Sequence, residues 1–141
     1  MNIPSVLIAL ALTASCAPRA PEIEVGDAWA RATAPGQSSG AIYATIANRG
    51  AADRLVGVSS NAGTATLHHS TRDDGVARMR MLTDLPIPAG TSVDLAPGGT
   101  HVMLTGLAAP LSIGGDLGLT LRFERSGART VKVAVVAAGA R

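Results

Sequence analysis

Leu117-Gly118-Leu119-Thr120-Leu121-Arg122-Phe123 alternates strictly, and Thr130-Val131-Lys132-Val133-Ala134-Val135 alternates again beyond the turn at Ser126-Gly127. A period of two sends successive side chains to opposite faces of a strand. These two runs are therefore a hairpin with one face turned to a core. The same short, turn-bounded pattern fills the chain upstream. Strands are expected at 23–30, 41–46, 54–59, 64–69, 76–82, 91–95 and 101–105, with a loop at 32–40. Sixteen glycines and eight prolines supply the turns between them. No sustained 3.6-residue periodicity appears beyond the first fifteen residues. About nine short strands with Gly, Pro, Asn and Asp punctuation predict an all-β, two-sheet antiparallel β-sandwich. Aromatic residues make up only 2% of the 141-residue chain, so Val, Leu, Ile and Ala must build its core. Trp29, Tyr43 and Phe123 are the only large rings.

The chain divides unevenly. Val6 to Leu12 is an apolar run with the length of a signal h-region and too short to span a bilayer as a helix. Leu12-Thr13-Ala14-Ser15-Cys16 resembles a lipobox, with Thr13 where Leu or Val is usual, and marks Cys16 for lipidation. Ordinary cleavage nearby or an uncleaved tether would equally export the chain. The expected organisation is a leader at 1–16, a proline-bearing linker at 17–22, one domain at 23–137 and a short tail at 138–141. The expected location is periplasmic, with any membrane attachment made through Cys16.

Charge and cysteine usage exclude several classes. Lys132 is the only lysine, and the arginines are scattered without an aromatic-interleaved basic run, so a nucleic-acid surface is not expected. Cys16 is the only cysteine and lies in the leader. The domain therefore holds no disulfide, Cys-based zinc site, iron–sulfur cluster or thiol nucleophile. Blue-copper electron transfer, which requires a thiolate ligand, falls with them. No histidine stands in the leader to offer the N-terminal amine ligation of a copper monooxygenase. No Ser/His/Asp spacing or phosphate-binding glycine loop is present, and Pro97-Gly98-Gly99 reads as a turn before His101. Asp73 and Asp74 read as a solvated turn. An enzyme is not expected.

What the chain does concentrate is imidazole and thioether. All three histidines, His68, His69 and His101, and every methionine except Met1 fall between Thr66 and Leu104. Ten residues separate His68 from Met79, twenty-one separate Met79 from His101, and one separates His101 from Met103. His101 and Met103 share a strand face. Met79 shares a face with Met81, leaving Arg78 and Arg80 on the other. His69 must face away from His68, because adjacent strand residues alternate. Alone, Met79 reads as core filler and each histidine as a hydrogen-bonded surface residue. Together, two imidazoles and two thioethers form a soft, neutral set that selects Cu(I) over hard ions.

The spacing His-x10-Met-x21-His-x-Met resembles the signature of the periplasmic copper chaperone family PCuAC, written H(M)-x10-M-x21-H-x-M. Further stretches resemble that family: 27–31 (DAWAR), 40–48 (GAIYATIAN), 53–60 (DRLVGVSS), 86–90 (PIPAG), 95–99 (LAPGG) and 101–107 (HVMLTGL). Together they cover about residues 24–136. The resemblance implies a cupredoxin-like sandwich binding one Cu(I) through His68, Met79, His101 and Met103, with His69 and Met81 as auxiliary neighbours. Met81 is expected to pack beneath the site. The implied role is a monomeric carrier delivering copper to the dicopper centre of cytochrome c oxidase, to an oxidase subunit or to another copper-insertion protein. Two features depart from the family pattern. Ser70 stands where many members have methionine, and the last residues, Ala137 to Arg141, form no His/Met-rich tail, so a second, tail-borne copper is not expected. Two alternatives stay open at this level. One is a zinc-binding or metal-free assembly or adhesion module, built on His68, His69 and His101 where zinc is bound. The other is a copper uptake or resistance carrier.

Overall fold

The structure, a computed structural model, describes residues 19–141. The leader, with its lipidation candidate Cys16, lies outside the described residues. Ten strands follow in chain order: β1 (Ile23–Arg31), β2 (Gly40–Asn48), β3 (Asp53–Ser60), β4 (Thr64–Asp73), β5 (Val76–Met81), β6 (Leu85–Ile87), β7 (Ser92–Leu95), β8 (Thr100–Thr105), β9 (Asp116–Phe123) and β10 (Gly127–Val136). Nine correspond to the runs expected from alternation. The additional one, β6, is a three-residue strand containing Pro86, which pairs at an edge with β3. Proline is tolerated there because an edge strand has a side with no ladder to complete.

Hydrogen bonding runs in the order β5-β4-β8-β2-β1-β10-β9-β3-β6, with β7 on the remaining part of β2. β1 and β10 are parallel and join the two halves through Trp29–Ala134, Ala30–Val135 and Arg31–Val136. The other pairs among the described strands are antiparallel. β3 also lies against β4 without laddering to it, so the ribbon folds back into a cupredoxin-like sandwich. The alternating residues Leu117, Leu119, Leu121 and Phe123 of β9 enter one core with Ile42, Val102 and Leu104. Inward side chains of β8 and β4, such as Val102 and Leu67, have outward neighbours that are free for another task.

A bulge decides which residues those are in β1. Pairing with β2 runs Gly26–Thr45 and then Trp29–Tyr43, so β1 carries one extra residue. Asp27, at φ 49°, absorbs it in the left-handed region. In the unbulged register Trp29 would lie opposite the core residue Ile42. The inserted residue moves Ala30 to that position and turns Trp29 and Arg31 to the outer face.

Two buried polar residues tie the ends together. Asn48 accepts the N–H groups of Glu22 and Gly50 and donates to the Ala51 carbonyl. Asp53 accepts from the Ser126 hydroxyl and from the backbone N–H groups of Arg54, Arg125 and Ser126, fastening β3 to the β9–β10 turn. Burial works against its charge, but these hydrogen bonds outweigh it and hold the carboxyl below its ordinary value of 3.8. A depressed carboxyl contributes stability that is present above its unfolded-state value and is lost as pH falls through the folded-state value. Asp53→Asn should therefore lower stability near neutrality. Its deficit against the native chain should shrink below about pH 4. Urea unfolding at neutral and acid pH measures it, and an unchanged deficit would remove Asp53 from the acid limb.

Candidate metal centre

Register assembles the histidines and methionines before any metal is considered. β4 pairs with β8 so that His68 faces His101 and Thr66 faces Met103. β4 also pairs with β5 so that His68 faces Met81 and Ser70 faces Met79. Directly paired residues project to the same side of a sheet. His68, Met79, Met81, His101 and Met103 thus share one face of β5-β4-β8. It is the outer face, since Leu67 and Val102 point into the core.

The two imidazoles form the floor of the site, His101 buried and His68 half-buried. Their ring centroids lie 6.2 Å apart with planes inclined at 20°. His101 is 5% exposed. Its Nδ1–H donates to the Gly99 carbonyl at 3.0 Å, leaving the Nε2 lone pair free. The same carbonyl accepts the Ser70 N–H, so the turn before β8 orients the ring and grips β4. His68 Nε2 bonds the Thr66 hydroxyl at 2.9 Å. Its Nδ1 is buried without a partner. An orphaned buried nitrogen is costly unless something occupies it. A thiophilic cation that also accepts imidazole fits this position and its neighbours, so the residues present suit Cu(I) as cargo.

The thioethers occupy the open side. Met79 is 52% exposed and Met81 65% exposed. The core-filler reading of Met79 therefore fails, and so does the expectation that Met81 packs beneath the site. Both sit on an edge strand whose outer neighbours are absent among the described strands. Their register follows from Asp74-Gly75, which closes a two-residue turn with both residues at positive φ. Such a turn dictates that His68 meets Met81 and Ser70 meets Met79, so the Asp-Gly dipeptide was the signal for Met81's position. Met103, two residues beyond His101 on β8 and opposite Thr66 of β4, is half-buried.

His69 faces the other way, as alternation requires. Its Nδ1 bonds the Thr100 hydroxyl at 2.8 Å on the inner side. His68, His69 and His101 consequently do not converge. Among the described residues no group of three or more His, Cys, Asp or Glu side chains is placed to hold a metal.

Two residues adjoining the site had no assigned role in the sequence. Tyr43 lies beyond His101 at 6.3 Å between centroids, and Trp29 lies beyond Tyr43 at 4.6 Å. A row of four rings, Trp29, Tyr43, His101 and His68, thus crosses the outer face. The β1 bulge supplies its far end.

A cupredoxin-like sandwich carrying an imidazole–thioether cluster on its outer face is a distinct class of domain. The LpqE-like profile ("Putative lipoprotein LpqE-like") matches residues 23–135, and the chain belongs to this family, which is of the PCuAC type. "Putative lipoprotein Lxx21020" of Leifsonia xyli subsp. xyli is 35% identical over 116 residues, covering 80% of this chain and 69% of that protein. "Uncharacterized protein RP573" of Rickettsia prowazekii is 33% identical over 114 residues, covering 76% of this chain and 62% of its own length. The copper-bound PCuAC domain from PmoF2 superposes with TM-score 0.68 at 28% identity, covering 82% of this chain and 93% of that one. The Cu(I) form of DR1885 from Deinococcus radiodurans gives 0.64 at 30% identity, covering 87% and 81%.

Proposed function

We propose that this chain is an exported copper carrier, binding one Cu(I) as cargo through His68, Met79, His101 and Met103, with Met81 as an auxiliary donor. The observation that carries the reading is the shared outer face itself. Two imidazoles, one with an orphaned buried nitrogen, stand on that face with three thioethers, and among the described residues no cluster of three or more His, Cys, Asp or Glu side chains forms there. Such neutral, soft donors favour the monovalent ion. The copper named in the structures of PmoF2 and DR1885 supports the same ion.

The division of the site suits transfer rather than catalysis or electron relay. The imidazoles are anchored by Gly99 and Thr66, whereas Met79 and Met81 stand at the surface. A recipient's own soft ligands reach the ion from the methionine side while the histidines still hold it. The proposed recipient is the dicopper centre of cytochrome c oxidase, approached directly or through another copper-insertion protein. The domain spans residues 23–137. The lipoprotein names of the family and of the Leifsonia relative support export with anchoring through Cys16.

Competitive titration of single variants separates this reading from a three-histidine zinc site. His101→Ala should weaken Cu(I) on the order of 100-fold, whereas His69→Ala should leave its affinity within about twofold. Equal losses from both variants, with Zn²⁺ bound as tightly as Cu(I), would overturn it.

A further inference from the structure

β5 ends the hydrogen-bonded order of strands, and every one of its residues is exposed. Its ladder with β4 fixes which of its backbone groups are used. The Leu82 N–H donates to the Leu67 carbonyl at 2.8 Å just past the strand, and bonded residues alternate along an antiparallel pair. Val76, Arg78 and Arg80 therefore bond β4, while Ala77, Met79 and Met81 turn their N–H and C=O groups away from it. The side chains of those three residues lie on the metal face. Arg78 and Arg80 carry theirs on the other face, exposed, and neither forms an ion pair among the described residues. Asp73 and Asp74 stand at the turn, at the other end of the strand from Arg80. The strand that ends the order on the far side, β6, is blunted by contrast, being three residues long and holding Pro86.

We propose that β5 is a docking edge for an extended segment of the copper recipient, one that alternates acidic residues with soft metal donors. An unpaired edge accepts a further strand through main-chain hydrogen bonds, and side chains at alternate positions give specificity. A strand added antiparallel places the residues that bond Met79 and Met81 directly opposite them, on the metal face. Methionine, cysteine or histidine at those positions stands beside the thioethers that hold the ion. The intervening residues fall on the face of Arg78 and Arg80, where carboxylates pair with the guanidinium groups. A second copy of this chain is the poorer occupant. Antiparallel self-pairing centred on Met79 sets Arg78 of one copy against Arg80 of the other, and like charges directly opposite are destabilising. The acidic strand pairing needs only the edge, whereas the soft donors rest on the copper-carrier reading.

The experiment separates those two parts. The copper-free chain is titrated with a blocked peptide of alternating Glu and Met, following backbone amides by NMR. The amides of Ala77, Met79 and Met81 should shift saturably and exchange more slowly, and those of Arg78 and Arg80, already bonded to β4, should change much less. N-methylation of the peptide's Met residues, which face the edge, should abolish the response, and N-methylation of its Glu residues should not. Arg78→Gln combined with Arg80→Gln should weaken binding on the order of tenfold, as should a peptide with Gln in place of Glu. An undiminished response after Met N-methylation, equal binding of the Glu and Gln peptides, or association of the free chain through β5 would overturn the docking edge. On the chain loaded with Cu(I), the Glu/Met peptide should bind about tenfold more tightly than a Glu/norleucine peptide, and without copper the two should bind alike. Equal binding to the loaded chain would overturn the donor part alone. A chain that takes up no Cu(I) loses the donor part together with the copper reading, and the edge stands or falls on the copper-free titration.

Discussion

Met79→Leu combined with Met103→Leu is expected to lower Cu(I) affinity on the order of 100-fold or more while leaving the fold intact. Leucine preserves the volume and apolar character of methionine but has no sulfur lone pair. Met79 is half exposed and lies outside the core, so its replacement costs little stability. Met103 is half-buried, and leucine fills the same space. The histidine pair remains, so some binding persists. Met81, directly opposite His68, supplies the one thioether left. Adding Met81→Leu should remove that remainder. A competitive titration with a Cu(I) chelator measures each step, and chemical unfolding checks that stability is unchanged. Full affinity in the triple variant would mean that the thioethers are not ligands.

Phe123→Ala should have the opposite profile, costing about 3–5 kcal/mol of stability with little effect on copper affinity where the chain is still folded. Phe123 is 2% exposed and lies opposite Leu55 of β3 and Gly127 of β10. Truncating it leaves a void in the core where β9 meets β3 and the β9–β10 turn. The metal face is on the outer side of β4 and β8, whose register is held by backbone ladders. Thermal unfolding and a Cu(I) titration on the same variant make the comparison. Parallel loss of stability and affinity at a temperature well below unfolding would show that the site depends on core packing rather than on sheet register.

These two variants also mark what alternation could and could not convey. Leu117 to Phe123 declared its buried face openly, because period two is a local property of the chain. His101-Val102-Met103 declared its shared face in the same way. Pairings between distant segments were not local. The parallel β1–β10 contact joins opposite ends of the domain, and no turn connects them to set its register. β6 escaped because three residues containing a proline carry too little pattern. The β1 bulge escaped because Asp27 gives no sign of its left-handed backbone, yet it decides that Trp29 and Arg31 face outward. Met81 falls between these cases. Its position follows from the Asp74-Gly75 turn, but its exposure depends on β5 being an edge strand, a consequence of the whole topology.

X-ray absorption at the copper edge, recorded on the protein loaded with one equivalent of Cu(I), tests the account most directly. It should show both sulfur and imidazole nitrogen scatterers in the first shell, with the sulfur contribution lost in the Met79, Met81 and Met103 triple leucine variant. A first shell of nitrogen and oxygen alone would contradict it.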